Sequence, residues 1–185
     1  MKPRRPFSAR DRRRLWQRLG IPADYPQTRG LPLQREARTL VSIGHAADDG
    51  KLLRLTPAAA AAWRRLLAAA TRDGVQLLPI SAYRSVARQT KLIRRKLAAG
   101  QTIEEVLRYV AAPGCSEHHT GRAIDLGSPE EHSLDEEFAL TAEFKWLKRH
   151  ADKFGFHLSY PRKNRHGIGY EPWHWCWRAR PRKSR

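Results

Sequence analysis

Residues 122–127, RAIDLG, set an aspartate within Ala, Ile and Leu in a run that reads as a strand. That carboxylate constrains the fold more than any other side chain. Burying it ionised and unpaired would cost several kcal/mol in effective terms, so a chain that takes Asp125 inside must bring a cation or a set of hydrogen bonds to it. Just upstream lies SEHHTG at 116–121, with His118 and His119 adjacent in a chain that has 8 histidines. His174, in EPWHWCW at 171–177, follows 49 residues after Asp125.

Singly, each residue has an ordinary structural reading. A strand aspartate often holds a nearby loop, and a histidine among tryptophans is often a satisfied core group. Together they match the needs of zinc, whose catalytic sites use three protein groups and keep a fourth position for water. His118, Asp125 and His174 supply three donors, and Glu171, three residues before His174, is a carboxylate available as base. In a regular strand Trp173, Trp175 and Trp177 share one face, and His174, Cys176 and Arg178 the other. Glu171 would then fall on the tryptophan side. It reaches the same site as His174 only if the backbone is irregular between them, and Pro172, which cannot donate to a ladder, stands at that point. Cys115 and Cys176 are too few for a disulfide framework and read as free buried thiols.

Around these motifs, the pattern predicts a short helix from the cap at Ser8 to Gly20, then an extended Pro/Gly-rich connection over 21–37. TLVSIG reads as a strand. LTPAAAAAWRRLLAAATRDG reads as a helix with Thr56 as N-cap, Pro57 at its first position and Gly74 at its end. VQLLPISAY is a buried strand, SVARQTKLIRRKLAAG a helix stopped by Gly100, and TIEEVLRYV opens on a Thr102/Glu105 capping box. TAEFKWLKRHADKFG is an amphipathic helix with Phe144, Leu147, Ala151 and Phe154 inward, followed by the strands FHLSYP and EPWHWCW. Helices dominate early and strands late. The expectation is an α+β single domain with a central, mainly antiparallel sheet flanked by helices.

The formal charge of +18 invites a nucleic-acid reading, but its distribution weakens it. Residues 1–20 hold eight basic side chains against Asp11, and residues 178–185 hold five against none, so two thirds of the excess sits on ends readable as solvated arms. No nucleic-acid motif accompanies the charge, and specific nucleic-acid binding is not expected. No run is apolar enough to span a bilayer and no leader segment is recognisable, so the expectation is a cytoplasmic, monomeric protein without a transmembrane segment. The expected organisation is a basic N-terminal helix and connection over 1–39, a domain over 40–178 that carries the His, Asp and Glu motifs, and a basic tail over 179–185.

S-E-H-H-T-G-R-A-I-D and E-P-W-H-W, preceded by S-A-Y-R-S at 81–85, resemble the zinc D-alanyl-D-alanine carboxypeptidases of the vancomycin-resistance type, relatives of the D-Ala-D-Ala dipeptidases and of the hedgehog signalling domain. The resemblance covers about residues 40–178. It implies a hedgehog/D,D-peptidase-like fold, one zinc bound by His118, Asp125 and His174, Glu171 as catalytic base, and Arg84 stabilising the reacting carbonyl. It also implies a peptidoglycan precursor or muropeptide substrate that loses a terminal D-amino acid, most simply D-Ala. Arg84 also suits a grip on the substrate's terminal carboxylate, because its planar fork pairs with carboxylates bidentately. Ser116 and Tyr83 are candidates to hydrogen-bond the substrate. His119 is read as a supporting or surface group, and His157 and His166 as structural or surface groups. An L,D-carboxypeptidase, a D,D-dipeptidase and a wall endopeptidase share these motifs, and a non-catalytic zinc domain and a nucleic-acid-binding protein stand further off.

Overall fold

Local chemistry sets most of the helix ends. In the computed structural model, residues 7–131 and 133–179 are described. Helix α1 (Ala9–Leu19) opens on a reciprocal cap, the Ser8 hydroxyl accepting the Asp11 N–H at 3.1 Å while the Asp11 carboxylate accepts the Ser8 N–H at 3.3 Å. It closes on left-handed Gly20. One further turn, α2 (Tyr25–Thr28), interrupts the connection that the sequence presents as extended. A hairpin of β1 (Val41–His45) and β2 (Leu52–Leu55) follows. The second of these strands has no counterpart in the sequence reading, because LLRL is short and alternates only weakly.

Helix α3 (Pro57–Arg72) starts where Thr56 and Pro57 place it, although the Thr56 hydroxyl makes no cap hydrogen bond. Strand β3 (Leu78–Ser81), α4 (Val86–Ala98) and α5 (Ile103–Leu107, with the Thr102/Glu105 box formed) lead into a 3-10 turn over Glu117–Thr120. Strand β4 (Ala123–Gly127), α6 (Ala142–His150), β5 (Phe156–Leu158) and β6 (His174–Trp177) complete the order, with 3-10 turns at Glu136–Leu140 and Ala151–Phe154.

Four strands form one antiparallel sheet in the order β3-β4-β6-β5. Its two faces do different work. Ile124 and Leu126 of β4 and Trp175 of β6 point toward Trp63 and Leu66 of α3 and Leu147 of α6, in the main core. Asp125 and His174 take the opposite face, as period-two alternation requires. This is the α+β arrangement with an antiparallel sheet and flanking helices that the sequence predicts.

A second apolar cluster unites Trp16 and Leu19 of α1 with Ile93 of α4 and Val106 and Leu107 of α5. The Trp16 indole N–H donates to the Pro113 carbonyl at 2.9 Å. The N-terminal helix therefore packs on the body of the protein, with Arg10, Arg13, Arg14 and Arg18 exposed on its outer side and Arg12 half-buried over the Trp16 ring. Residues 180–185, which hold most of the basic tail, lie outside the described residues. Among the described residues no helix is long and apolar enough to cross a membrane.

The connection after α2 has a structural task as well. Ala37 N–H donates to the His119 carbonyl at 2.8 Å, and Gln34 N–H to the Gly114 carbonyl at 2.7 Å, so this segment braces the loop that carries the histidines. That loop closes on Gly121 at φ +63, where an added Cβ would stand 2.8 Å from Leu40 Cδ2 and 3.2 Å from Ala37 Cβ. Gly121→Ala is expected to lower unfolding stability by about 2–3 kcal/mol, combining left-handed strain with the clash. Gly74→Ala has a similar φ but nothing within 4 Å, and is expected to cost about 1 kcal/mol. Urea unfolding of both variants checks the difference, and equal costs would mean that the brace against Leu40 carries no weight.

Candidate metal and catalytic site

The register of the sheet builds the site. In the β4/β6 ladder Asp125 pairs with His174, and in the β3/β4 ladder Ser81 pairs with Asp125, so the three side chains form a row across one face. His118 arrives from outside the sheet. Ser116 caps its turn, the hydroxyl accepting the His118 N–H at 3.3 Å, and left-handed Gly121 ends it. An extended backbone would send His118 and His119 to opposite sides. The 3-10 turn instead buries both, each with its own task.

Asp125 sits between two imidazoles, its Oδ2 3.1 Å from His118 Nε2 and its Oδ1 3.0 Å from His174 Nδ1. One donor atom from each of the three residues lies within 4.8 Å of the others. The outer partners assign the ring nitrogens. His118 Nδ1 is 2.6 Å from the Ala82 carbonyl, which can only accept, so that nitrogen carries the proton. His174 Nε2 is 3.1 Å from the Glu117 carboxylate and is a donor by the same argument. Both remaining ring nitrogens face Asp125. As lone pairs they would oppose its carboxylate, and the contact becomes favourable only with a proton or a cation between them.

The acid-base balance agrees. Burial pushes His118 below the usual imidazole range, with Asp125 opposing. At His174 burial is outweighed by the hydrogen bonds to Asp125 and Glu117, which lift the ring to about 10. Burial likewise fails to raise Asp125, because the two histidines hold it well below the usual carboxylate range. The 3.0 Å between His174 Nδ1 and Asp125 is a place for a proton, and a cation held by the trio would take that place. Two imidazole nitrogens, each ring oriented by a hydrogen bond from its other nitrogen, and a carboxylate fit zinc by donor type and number.

Glu171 and Arg84 flank this trio. The last strand starts only at His174, and the His174 N–H closes a turn on the Glu171 carbonyl at 3.1 Å. This is the irregularity that the Glu171/His174 spacing demands, and it leaves a Glu171 oxygen 3.9 Å from His174 Nδ1. Burial pushes Glu171 up to about 8, Asp125 and Glu117 adding to the rise while His174 and Arg84 oppose it.

Arg84 is largely shielded, its side chain keeping 14% of its surface exposed toward the cleft. Its Nη1 donates to Gln89 Oε1 and its Nη2 to Ser81 Oγ, each at 3.1 Å, and Nη2 lies 3.6 Å from Asp125 Oδ2. His119 fixes the backbone there, its Nδ1 2.6 Å from the Arg84 carbonyl while its Nε2 accepts the Gly114 N–H at 3.1 Å. His119 is therefore an interior brace.

The sequence reading passed over Glu117. Its carboxylate accepts hydrogen bonds from His174 Nε2–H at 3.1 Å and from Ser159 Oγ–H at 2.5 Å. The available signal was the cap-and-glycine spacing of Ser116 and Gly121, which marks a turn and brings Glu117 inward. Ser116 lines the cleft above the site, a cavity of about 560 Å³ that Tyr160 and Trp173 also wall. Tyr83 is not among the cleft-lining residues, and its N–H donates to the Arg54 carbonyl at 3.0 Å. Cys115 and Cys176 are free buried thiols. His157 pairs with Asp152, and His166 Nδ1 lies 2.9 Å from the Arg29 carbonyl, so neither reaches the site.

Comparison with known proteins places this geometry. The VanY family, D-alanyl-D-alanine carboxypeptidase, matches residues 52–180. The putative carboxypeptidase YodJ of Bacillus subtilis is 38% identical over 120 residues, covering 63% of this chain and 43% of its own length. The chain thus spans less than half of that relative. Among solved structures, the LdcB LD-carboxypeptidase superposes with a TM-score of 0.68 at 33% identity, covering 79% of this chain and 71% of that one. A mutant of the vancomycin-resistance D,D-pentapeptidase VanY in complex with Zn(II) does so with a TM-score of 0.61 at 27% identity, covering 80% and 82%.

The trio is expected to bind one zinc per chain, and His118→Ala and His174→Ala to lose it in metal analysis. Glu117→Ala leaves the three donors in place but frees the His174 ring, and is expected to weaken zinc about 10- to 100-fold in competition with a chromophoric chelator. Wild-type affinity in Glu117→Ala would count against its orienting role.

Proposed function

The chain belongs to the D-alanyl-D-alanine carboxypeptidase family, and on that premise we propose that it is a zinc-dependent carboxypeptidase removing the terminal D-alanine from peptidoglycan-type peptides that end in D-Ala-D-Ala. One observation carries the reading. His118, Asp125 and His174 converge at one end of a cleft, with a carboxylate of raised pKa and a fixed guanidinium beside them.

A zinc ion held by the trio would polarise the scissile carbonyl and acidify the attacking water. Glu171 takes the proton of that water as its oxygen bonds to the carbonyl carbon. Burial raises the Glu171 pKa and a zinc ion beside it would lower it again, toward the operating pH where a base that also returns the proton works best. When the C–N bond breaks, Glu171 delivers the proton to the departing amine. Arg84 donates to the carbonyl oxygen as that oxygen gains negative charge, and its hydrogen bonds to Gln89 and Ser81 fix it beforehand. Ser116, in the cleft wall, is assigned to the substrate's backbone or terminal carboxylate. Glu171 and Arg84 together favour catalysis over a zinc domain that only binds.

The likeness to an LD-carboxypeptidase supports a second reading, in which the bond broken joins an L-residue to the terminal D-alanine. Incubating the zinc-loaded protein with stem peptides of defined length and stereochemistry, followed by mass spectrometry, separates the two. Loss of one D-alanine from the D-Ala-D-Ala peptide is the expected product. Cleavage only at an L,D bond would reassign the specificity, and no cleavage of either would end the peptidase reading.

Glu171→Gln is expected to keep zinc and fold while losing nearly all turnover, since the amide preserves shape without the base. Normal turnover would place the base elsewhere. Arg84→Lys is expected to lower kcat about 100-fold or more. A rise confined to KM would instead assign Arg84 to the substrate's terminal carboxylate.

A further inference from the structure

The cleft runs outward from the metal site along one face of α4. Arg88, Lys91 and Arg95, spaced three and four residues apart, share that face, while Val86, Thr90 and Ile93 turn into the body. Lys96 lines the cleft beside them. Among the described residues, no carboxylate forms an ion pair with any of these four cations. The same cleft is lined by Asp48 and Asp49 at the tip of the β1/β2 hairpin, and Asp49, although engaged by Lys51, also attracts Arg88 at longer range, leaving Lys91, Arg95 and Lys96 for an anion. A helix that holds like charges at i, i+3 and i+7 in a partly enclosed cleft pays for their mutual repulsion, and a bound anion relieves it.

We propose that this wall is a subsite for the anionic part of the substrate upstream of the scissile bond. The preferred peptides then carry two or more negative charges, as carboxylates or phosphates, on the amino-terminal side of the terminal dipeptide. The inference rests on the carboxypeptidase reading for the orientation of the peptide. Arg88 to Arg95 spans about 10 Å of helix axis, which an extended peptide covers in about three residues. A short neutral dipeptide would leave the wall unused, so charge recognition and chemistry occupy separate parts of one cleft.

Binding to the zinc-loaded Glu171→Gln protein tests this without turnover. The probes are N-acetylated pentapeptides ending in D-Ala-D-Ala whose upstream residues include two glutamates, one phosphoserine or two glutamines. The glutamate or phosphoserine peptide is expected to bind about tenfold more tightly than the glutamine peptide at low salt, with the preference shrinking in 0.5 M NaCl at about a 4 Å screening length. Adding Arg88→Gln, Lys91→Gln and Arg95→Gln together should abolish the preference, leave the glutamine peptide's affinity unchanged and not lower the melting temperature. A gain confined to the glutamate peptide assigns carboxylates to the wall, and a gain confined to phosphoserine assigns phosphates. Equal binding of all three peptides, or a preference that survives the triple substitution, overturns the subsite. If the wild-type chain hydrolyses none of the peptides while the charge preference persists and depends on the wall, the carboxypeptidase reading fails and the anion subsite stands.

Discussion

Asp125 is ionised and fully interior, and the arrangement of the site follows from how its charge is met. His118 and His174 each turn a ring nitrogen toward one of its oxygens, and Arg84 approaches the oxygen that also faces His118. A lone carboxylate in that position would destabilise the fold by several kcal/mol, and one shared with a proton or a cation does not. The same contacts that make the residue tolerable suit it to hold a metal ion together with the two histidines. Stability and chemistry therefore place the same demand on this strand.

Meeting that demand requires three segments to arrive with fixed orientation. The sheet delivers Asp125 and His174 as direct cross-strand neighbours, a placement that one residue of register slip would destroy by turning one of them into the core. His118 depends on a tight turn instead. That turn is held from outside by the segment at residues 34–37, by Gly121 against Leu40, and by His119, which also fixes the backbone of Arg84. The N-terminal region is thus tied to the site through hydrogen bonds, even though it contributes no side chain to the metal trio.

Each group at the centre has a second partner that sets its chemical state. Ala82 selects the His118 tautomer, Glu117 selects that of His174, and Gln89, itself donating to the Ala111 carbonyl at 2.7 Å, holds the guanidinium of Arg84. Glu171 differs, because its charge is opposed by burial and by the nearby carboxylates of Asp125 and Glu117. The environment stabilises the charge of Asp125 and destabilises that of Glu171, which suits the first to meet a cation and the second to exchange a proton.

Much of this was legible in the residues. Capping signals at Ser8 and Thr102, the alternation of EPWHWCW and the apolar setting of Asp125 reflect local propensity and periodicity, which a sequence displays directly. The motif resemblance supplied Arg84 and tied the runs together. Glu117 and the buried role of His119 were hidden because both depend on a turn where the reading assumed extended chain, and the docking of α1 was hidden because its basic composition suggested solvent. Strand β2 was too short to announce itself. The sequence by itself determined which side chains could hold a metal and act as a base. Tertiary structure alone decided their register, their tautomers and the partners that shift their pKa values, because those depend on distances between residues far apart in the chain, such as the 3.0 Å from Asp125 to His174.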